Sequence, residues 1–364
     1  MKKLAGICCG LIIIGGIMTG LGIKDLYAQI QRKPITIERT LEGVDSIMIE
    51  DLNYYHSYGV PIEIVETTGS PKITLYGDMV GFDFNEFNEN DVLNVDITNN
   101  TAFIDINSFL DINWGKKYNN SIYFFNDLID IDVLTDSKVV LEIPRTGLNK
   151  LHVSGYSANV NVNNLDINDL KLDCNDNITF SGEGEIENLV LIAAEGYIDF
   201  KNNIIGDANI ENTAGYLNLD GKYKNIDLSY DRRSEITINS TEPYTANIEA
   251  GFSNVNVYGE VDVVDINRCD SVVIKPSSAP QLITIVDTTD VDATIIFPED
   301  IEGFIAKTES YDPWDTNIIT SFDVKHSVNS EPNLYTNEIS YGNEETKIHI
   351  FTDANGMLKI LKGE

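Results

Sequence analysis

Leu151-His-Val-Ser-Gly-Tyr-Ser-Ala-Asn-Val160 is an apolar strand, a small-polar corner and the start of a second apolar strand. The same pattern returns down the chain to Lys275 as about seven copies of a unit of roughly 19 residues. The main inward residue of the first arm runs Val153, Leu172, Ile192, Ile210, Leu228, Ile248, Ile266. The matching residue of the second arm runs Val160, Ile178, Ile198, Leu217, Ile236, Val255, Val272. Both series advance by 17 to 20 residues per step. A fixed period in that range marks stacked turns, because one unit cannot bury its apolar face alone. The expected fold is all-β, a single-stranded β-solenoid of about 19-residue turns.

Upstream of the block, Ile35–Ile37, Ser46–Ile49, Pro61–Val65, Lys72–Leu75, Val92–Ile97, Ala102–Ile106 and Val139–Ile143 alternate apolar and polar residues and read as strands. Residues 34–145 are expected to form a leading, irregular β region, with a long loop between Asn107 and Asp136. Regular repeats are expected over 146–300. Beyond Pro276 the spacing degrades, so 301–364 reads as an irregular segment followed by a hairpin. Its arms, Lys347–Phe351 and Met357–Ile360, would cap the last open rung.

Leu4 to Ile23 carries no charge and follows Lys2 and Lys3. About 20 such residues suffice to cross a ~30 Å hydrocarbon layer. Residues 1–23 are read as an uncleaved transmembrane signal anchor and 24–33 as a linker. Leu26-Tyr-Ala28 lacks the small residue a cleavage site needs, and Cys8 and Cys9 come too early for lipid attachment. Lys2 and Lys3 nearly balance Lys24, Arg32 and Lys33. The commoner arrangement, with a short inside N-terminus, makes the protein a single-pass cell-membrane protein with its β domain at the cell surface.

A formal net charge of −33 in 364 residues excludes nucleic acid and anionic lipid headgroups, which need clustered Lys and Arg. Cys174 and Cys269 fall five repeats apart, roughly 24 Å at ~4.8 Å per rung, beyond disulfide reach. His56, His152, His326 and His349 lack zinc spacing, and no nucleotide-binding or calcium-loop motif appears. Loose candidates for a hydrolytic site are Asp173 with Asp176, Asp199 near Asp227, and the Arg232-Arg233 pair. They do not form a catalytic constellation, so no catalytic residue, cofactor or metal ligand is assigned. The better ligand hint is aromatic. Tyr156, Tyr197, Tyr216 and Phe252 each fall just before the second arm, where they would form a ridge suited to sugar or peptide contact.

The leading strands, the Leu141-Glu-Ile-Pro144 approach, the repeats and the Thr346–Ile360 finish resemble the DUF4097 putative-adhesin family. Ser154-Gly-Tyr-Ser157 and Thr213-Ala-Gly-Tyr216 keep part of that family's corner pattern, whereas Tyr230–Ser234 departs from it. The resemblance implies a β-solenoid-like surface domain behind a membrane segment, with no catalytic residues to carry over. The functional expectation is a membrane-anchored, non-enzymatic binding or structural module. Its partners would be the membrane through residues 4–23 and a cell-wall glycan, a host surface or another envelope protein. The alternatives are a polysaccharide-active β-helix enzyme and a self-assembling envelope scaffold.

Overall fold

The structure, a computed structural model, describes residues 31–51, 60–81, 88–106, 134–287, 292–310, 316–331, 334–343, 346–352 and 356–363. The expected anchor at 4–23 and most of the expected loop after Asn107 lie outside them. No described helix is long and apolar enough to cross a membrane. Among the described residues most are in strands, joined by short turns and one 3₁₀ turn at Glu89–Asp91.

The strands pair in two parallel ladders. In the first, β6 (Thr101–Ile106), β2 (Ser46–Asp51), β8 (Leu148–Gly155) and β10 (Leu165–Cys174) follow one another in space, and β10 continues onto β12 (Gly184–Tyr230). In the second, β7 (Leu134–Pro144), β3 (Pro61–Thr67), β9 (Ser157–Asn161) and β11 (Asn177–Gly182) do the same. The long β12 and β13 (Glu235–Pro276) pass through both ladders in turn, pairing Tyr216 with Glu235 and Leu228 with Ile248. Alternation along each arm turns every second side chain inward, so aliphatic residues of successive rungs stack ~4.8 Å apart.

One contiguous apolar core results, running from Ile37 to Ile360. Both inward series lie within it with one exception. Ile192 sits level with Asp173 on the outer side, and Leu191, level with Leu172, takes the inward place. Two adjacent aliphatic residues leave period-2 reading ambiguous, and only the pairing register decides between them. Each buried aliphatic side chain contributes roughly 1.5–3 kcal/mol.

The ends of the stack differ from expectation. β4 (Lys72–Gly81) lies antiparallel to β7, and β1 (Gln31–Thr40) antiparallel to β4. β1 therefore begins within the expected linker 24–33. β5 (Leu93–Thr98) likewise adds antiparallel to β6. At the other end, β14 (Leu282–Asp287) and β15 (Asp292–Phe297) continue the two ladders from β13. The expected capping hairpin is not one. β20 (Thr346–Thr352) pairs with β14 on one edge and β16 (Gly303–Ser310) on the other. β21 (Gly356–Lys362) pairs with β15 and with β17 (Thr316–Thr320). The C-terminal strands thus form an interior rung between chain segments that precede them. The segment expected to be irregular is also ordered into strands, with β19 (Leu334–Gly342) antiparallel to β16 and β18 (Lys325–Glu331) antiparallel to β19. Their polar sequence suits a terminal sheet that buries little beyond Ile339.

Inside the corners, small residues and tyrosines fill the space. Cys174 and Cys269 are both buried. Burial pushes the Cys174 thiol up to about 12, which suppresses thiolate chemistry. Tyr230 accepts a 3.1 Å hydrogen bond from the Asn212 amide, and Tyr244 donates to the Tyr258 carbonyl at 3.3 Å. Tyr223, equally buried, has no hydrogen-bond partner for its hydroxyl among the described residues. A buried unpaired hydroxyl costs about 1–3 kcal/mol. Tyr223→Phe is therefore expected to stabilise the fold by about 1 kcal/mol or more. A lower midpoint in urea for the variant would contradict this.

Candidate ligand-contact face

The outward residues decide what this stack can touch. Acids stacked rung on rung would repel, and asparagines relieve this. Asn218 donates to Asp199 at 2.7 Å, Asn239 to Asp220 at 2.8 Å, Asn225 to Asp207 at 2.6 Å and Asn247 to Asp227 at 3.0 Å. Each bond joins one rung to the next, so the abundant Asn and Asp form a surface lattice. An open depression of about 340 Å³ lies on the first ladder, lined in part by Asn188, Asp207, Asn209, Asn225, Asp227 and Asn247. Its polar groups largely bond to one another.

Asp265 breaks this pattern. One of its carboxylate oxygens is buried with no hydrogen-bond partner among the described residues, and burial raises its pKa. For an acid, a raised folded pKa means that ionisation is penalised in the fold but not in the unfolded chain. The penalty is absent below the unfolded carboxyl range and complete above the folded pKa. Asp265→Asn is accordingly expected to raise the thermal midpoint at neutral pH. The gain should vanish near pH 3, where the parent side chain is also uncharged. A gain of equal size at both pH values would refute the assignment.

Of the four expected ridge residues, the structure brings two together. Tyr197 and Tyr216 stack on adjacent rungs with ring centroids 5.2 Å apart and planes 21° apart. Tyr197 is 53% exposed, and Tyr216 is half-buried. Burial comes first among the causes that raise the Tyr216 phenol pKa, followed by the nearby Asp199 carboxylate. Asp199 is itself held by Lys201 at 3.2 Å as well as by Asn218. Tyr156 and Phe252 stand out of this column. The register runs Asn159, Thr179, Tyr197, which leaves Tyr156 three residues upstream of it. On the other side it runs Tyr216, Glu235, and then Asn254, whose N–H bonds the Ser234 carbonyl at 3.0 Å. Phe252 lies two residues before that, at a corner where it adopts φ +67. Tyr197 and Tyr216 each stand one residue before the inward residue of their second arm, Ile198 and Leu217, whereas Tyr156 stands four before Val160 and Phe252 three before Val255, so the ridge is a pair.

Of the loose acidic candidates, Asp199 and Asp227 are also separated. Asp199 belongs to the second ladder and Asp227 to the first. Asp173 pairs with Lys171 at 3.3 Å and Arg233 with Asp270 at 3.2 Å. Among the described residues, no group of three or more His, Cys, Asp or Glu is placed to hold a metal ion. The Asn–Asp lattice escaped sequence reading, although the 18–20-residue recurrence of Asn after Asp was its signal.

No family model matches the chain, and no curated protein matches it. Solved structures that align with it include a "putative lipid binding protein" from Parabacteroides distasonis, at 15% identity and a TM-score of 0.30, covering 91% of this chain and 97% of that one. A "putative adhesin" from Bacteroides fragilis aligns at 13% identity and a TM-score of 0.22, covering 90% and 97%. Another from Parabacteroides merdae aligns at 11% identity and a TM-score of 0.24, covering 90% and 96%. At these scores the likeness carries no argument about ligand or activity.

Proposed function

We propose that the chain is a β-solenoid binding module of the DUF4097 adhesin type. In this reading residues 4–23 tether it to the membrane, the β domain lies outside the cytoplasm, and it acts without catalysis. Parallel rung-to-rung pairing along both ladders supports the solenoid reading. A stack of this kind holds long, rigid outer faces on which a ligand meets exposed side chains rather than a closed pocket. The observation that carries the binding role is the exposed Tyr197 stacked on the half-buried Tyr216. Rigid aromatic area of this kind favours contact, because few side-chain rotations are lost on binding. The dispersal of Asp173, Asp199, Asp227 and Arg233 into separate pairs supports a binder over a polysaccharide-cleaving enzyme.

The test has two parts. Protease added to intact cells should remove the β domain while a cytoplasmic marker survives. Labelled full-length chain in detergent should be retained by isolated cell envelope. Protection from protease would overturn the placement outside the cytoplasm, and no retention would overturn the binding role.

A further inference from the structure

We infer that Tyr197 is the platform for one pyranose ring of a neutral glycan, with the sugar's C–H face lying on the tyrosine face opposite Tyr216. This rests on the binding-module reading above and names the ligand class of that site. The separation of the two rings, 5.2 Å, is close to the ~4.8 Å rung spacing, so the rings are stacked along the axis of the ladder. One face of Tyr197 is taken by Tyr216. The other points toward the preceding rung, where the residues in register are Thr179 and then Asn159. Both are short and polar, so the ring stands above them as a step with an open face. That step accounts for the high exposure of Tyr197.

The surroundings match a sugar more closely than a purely apolar ligand. A pyranose carries C–H groups on its faces and hydroxyls around its rim. The platform is bordered by Thr179 and Asn159 on the two preceding rungs. Beside it lies the Asp199 carboxylate, fixed by Lys201 and Asn218. The Asp199 carboxylate accepts hydrogen bonds from sugar hydroxyls while its charge is balanced by Lys201, and the net charge of −33 repels acidic sugars over distance. The ligand is therefore neutral. Stacking on Tyr216 holds the platform in place before binding, which lowers the ordering cost. A proline-rich peptide could also lie on an aromatic step; it lacks the rim of hydroxyls that Asp199, Thr179 and Asn159 would engage.

The experiment measures binding of neutral cello-, chito- and manno-oligosaccharides to the full-length chain in detergent, by calorimetry and by tyrosine fluorescence. At least one series should bind the parent. Tyr197→Ala should weaken it at least tenfold, and Tyr197→Phe should stay within about twofold, because the platform uses the ring face. Thr179→Trp should abolish binding by covering the open face. All these side chains point outward, and unchanged circular dichroism would verify folding. If the parent binds a glycan and Tyr197→Ala binds it equally well, the platform is wrong while the binding-module reading stands. If the parent binds only a proline-rich peptide, or envelope but no neutral glycan, the ligand class is wrong. If the parent is retained by no envelope fraction or glycan, both readings fail.

Discussion

A chain ending at Asn343 should lose cooperative folding altogether, and would not merely fray at one end. The missing segment supplies Ile348, Leu358 and Ile360, all buried to within 2% exposure. At ~1.5–3 kcal/mol each, the three contribute roughly 5–9 kcal/mol, comparable to the ~5–15 kcal/mol that holds an ordinary domain together. Their loss also strips backbone partners from both neighbours at once. Ile348 is level with Ile283 on one side and Ala306 on the other, and Ile360 with Ile295 and Thr320. Four strand edges would become unpaired, with their apolar residues uncovered, a state prone to aggregation. Thermal circular dichroism and limited proteolysis of the truncated and full chains provide the comparison. A truncated chain that keeps a sharp transition near that of the parent would mean that the C-terminal strands lie at the end of the stack.

Gly251→Ala should cost about 3–5 kcal/mol, the sum of a strained backbone and an overfilled corner. Gly251 has φ +51, a conformation that glycine adopts without a side-chain penalty. A Cβ built there would lie 1.9 Å from the Tyr230 carbonyl oxygen and 2.6 Å from the Asp231 carbonyl carbon. Both are backbone atoms of the preceding rung and cannot swing aside. The rung would have to separate locally, and each rung rests on its neighbours, so the damage spreads. Denaturant unfolding measures the loss. Gly43→Ala is the control, since its φ of +70 imposes strain but no atom lies within 4 Å of the added carbon. It should cost only about 1–2 kcal/mol. Equal losses at the two positions would leave the close approach without energetic weight.

The inward columns were legible because stacking demands local repetition. Val160, Ile198 and Val255 recur at the spacing of the turns and are buried. Ile192 was misassigned because Leu191-Ile192 offers two aliphatic residues in succession, and the partner strand alone selects between them. The aromatic site was legible only by half. Tyr197 and Tyr216 are separated by a full turn with matching corners and meet. Tyr156 and Phe252 stand four and three residues before Val160 and Val255, against one residue for Tyr197 and Tyr216, and so fall outside the column. The Asn–Asp bonds follow the same logic: the residue types recur in the sequence, but their pairing depends on which rung faces which.

By itself, the sequence determined an all-β chain whose alternating apolar residues must be buried by stacking, and an acidic exterior unsuited to polyanions. Tertiary structure alone decided that β20 and β21 enter between strands made earlier in the chain and that antiparallel strands close both ends. The reason is physical. Periodicity is written in neighbouring residues, whereas rung order and the level of one turn against the next are set by hydrogen bonds between segments far apart in the chain, which leave no local pattern.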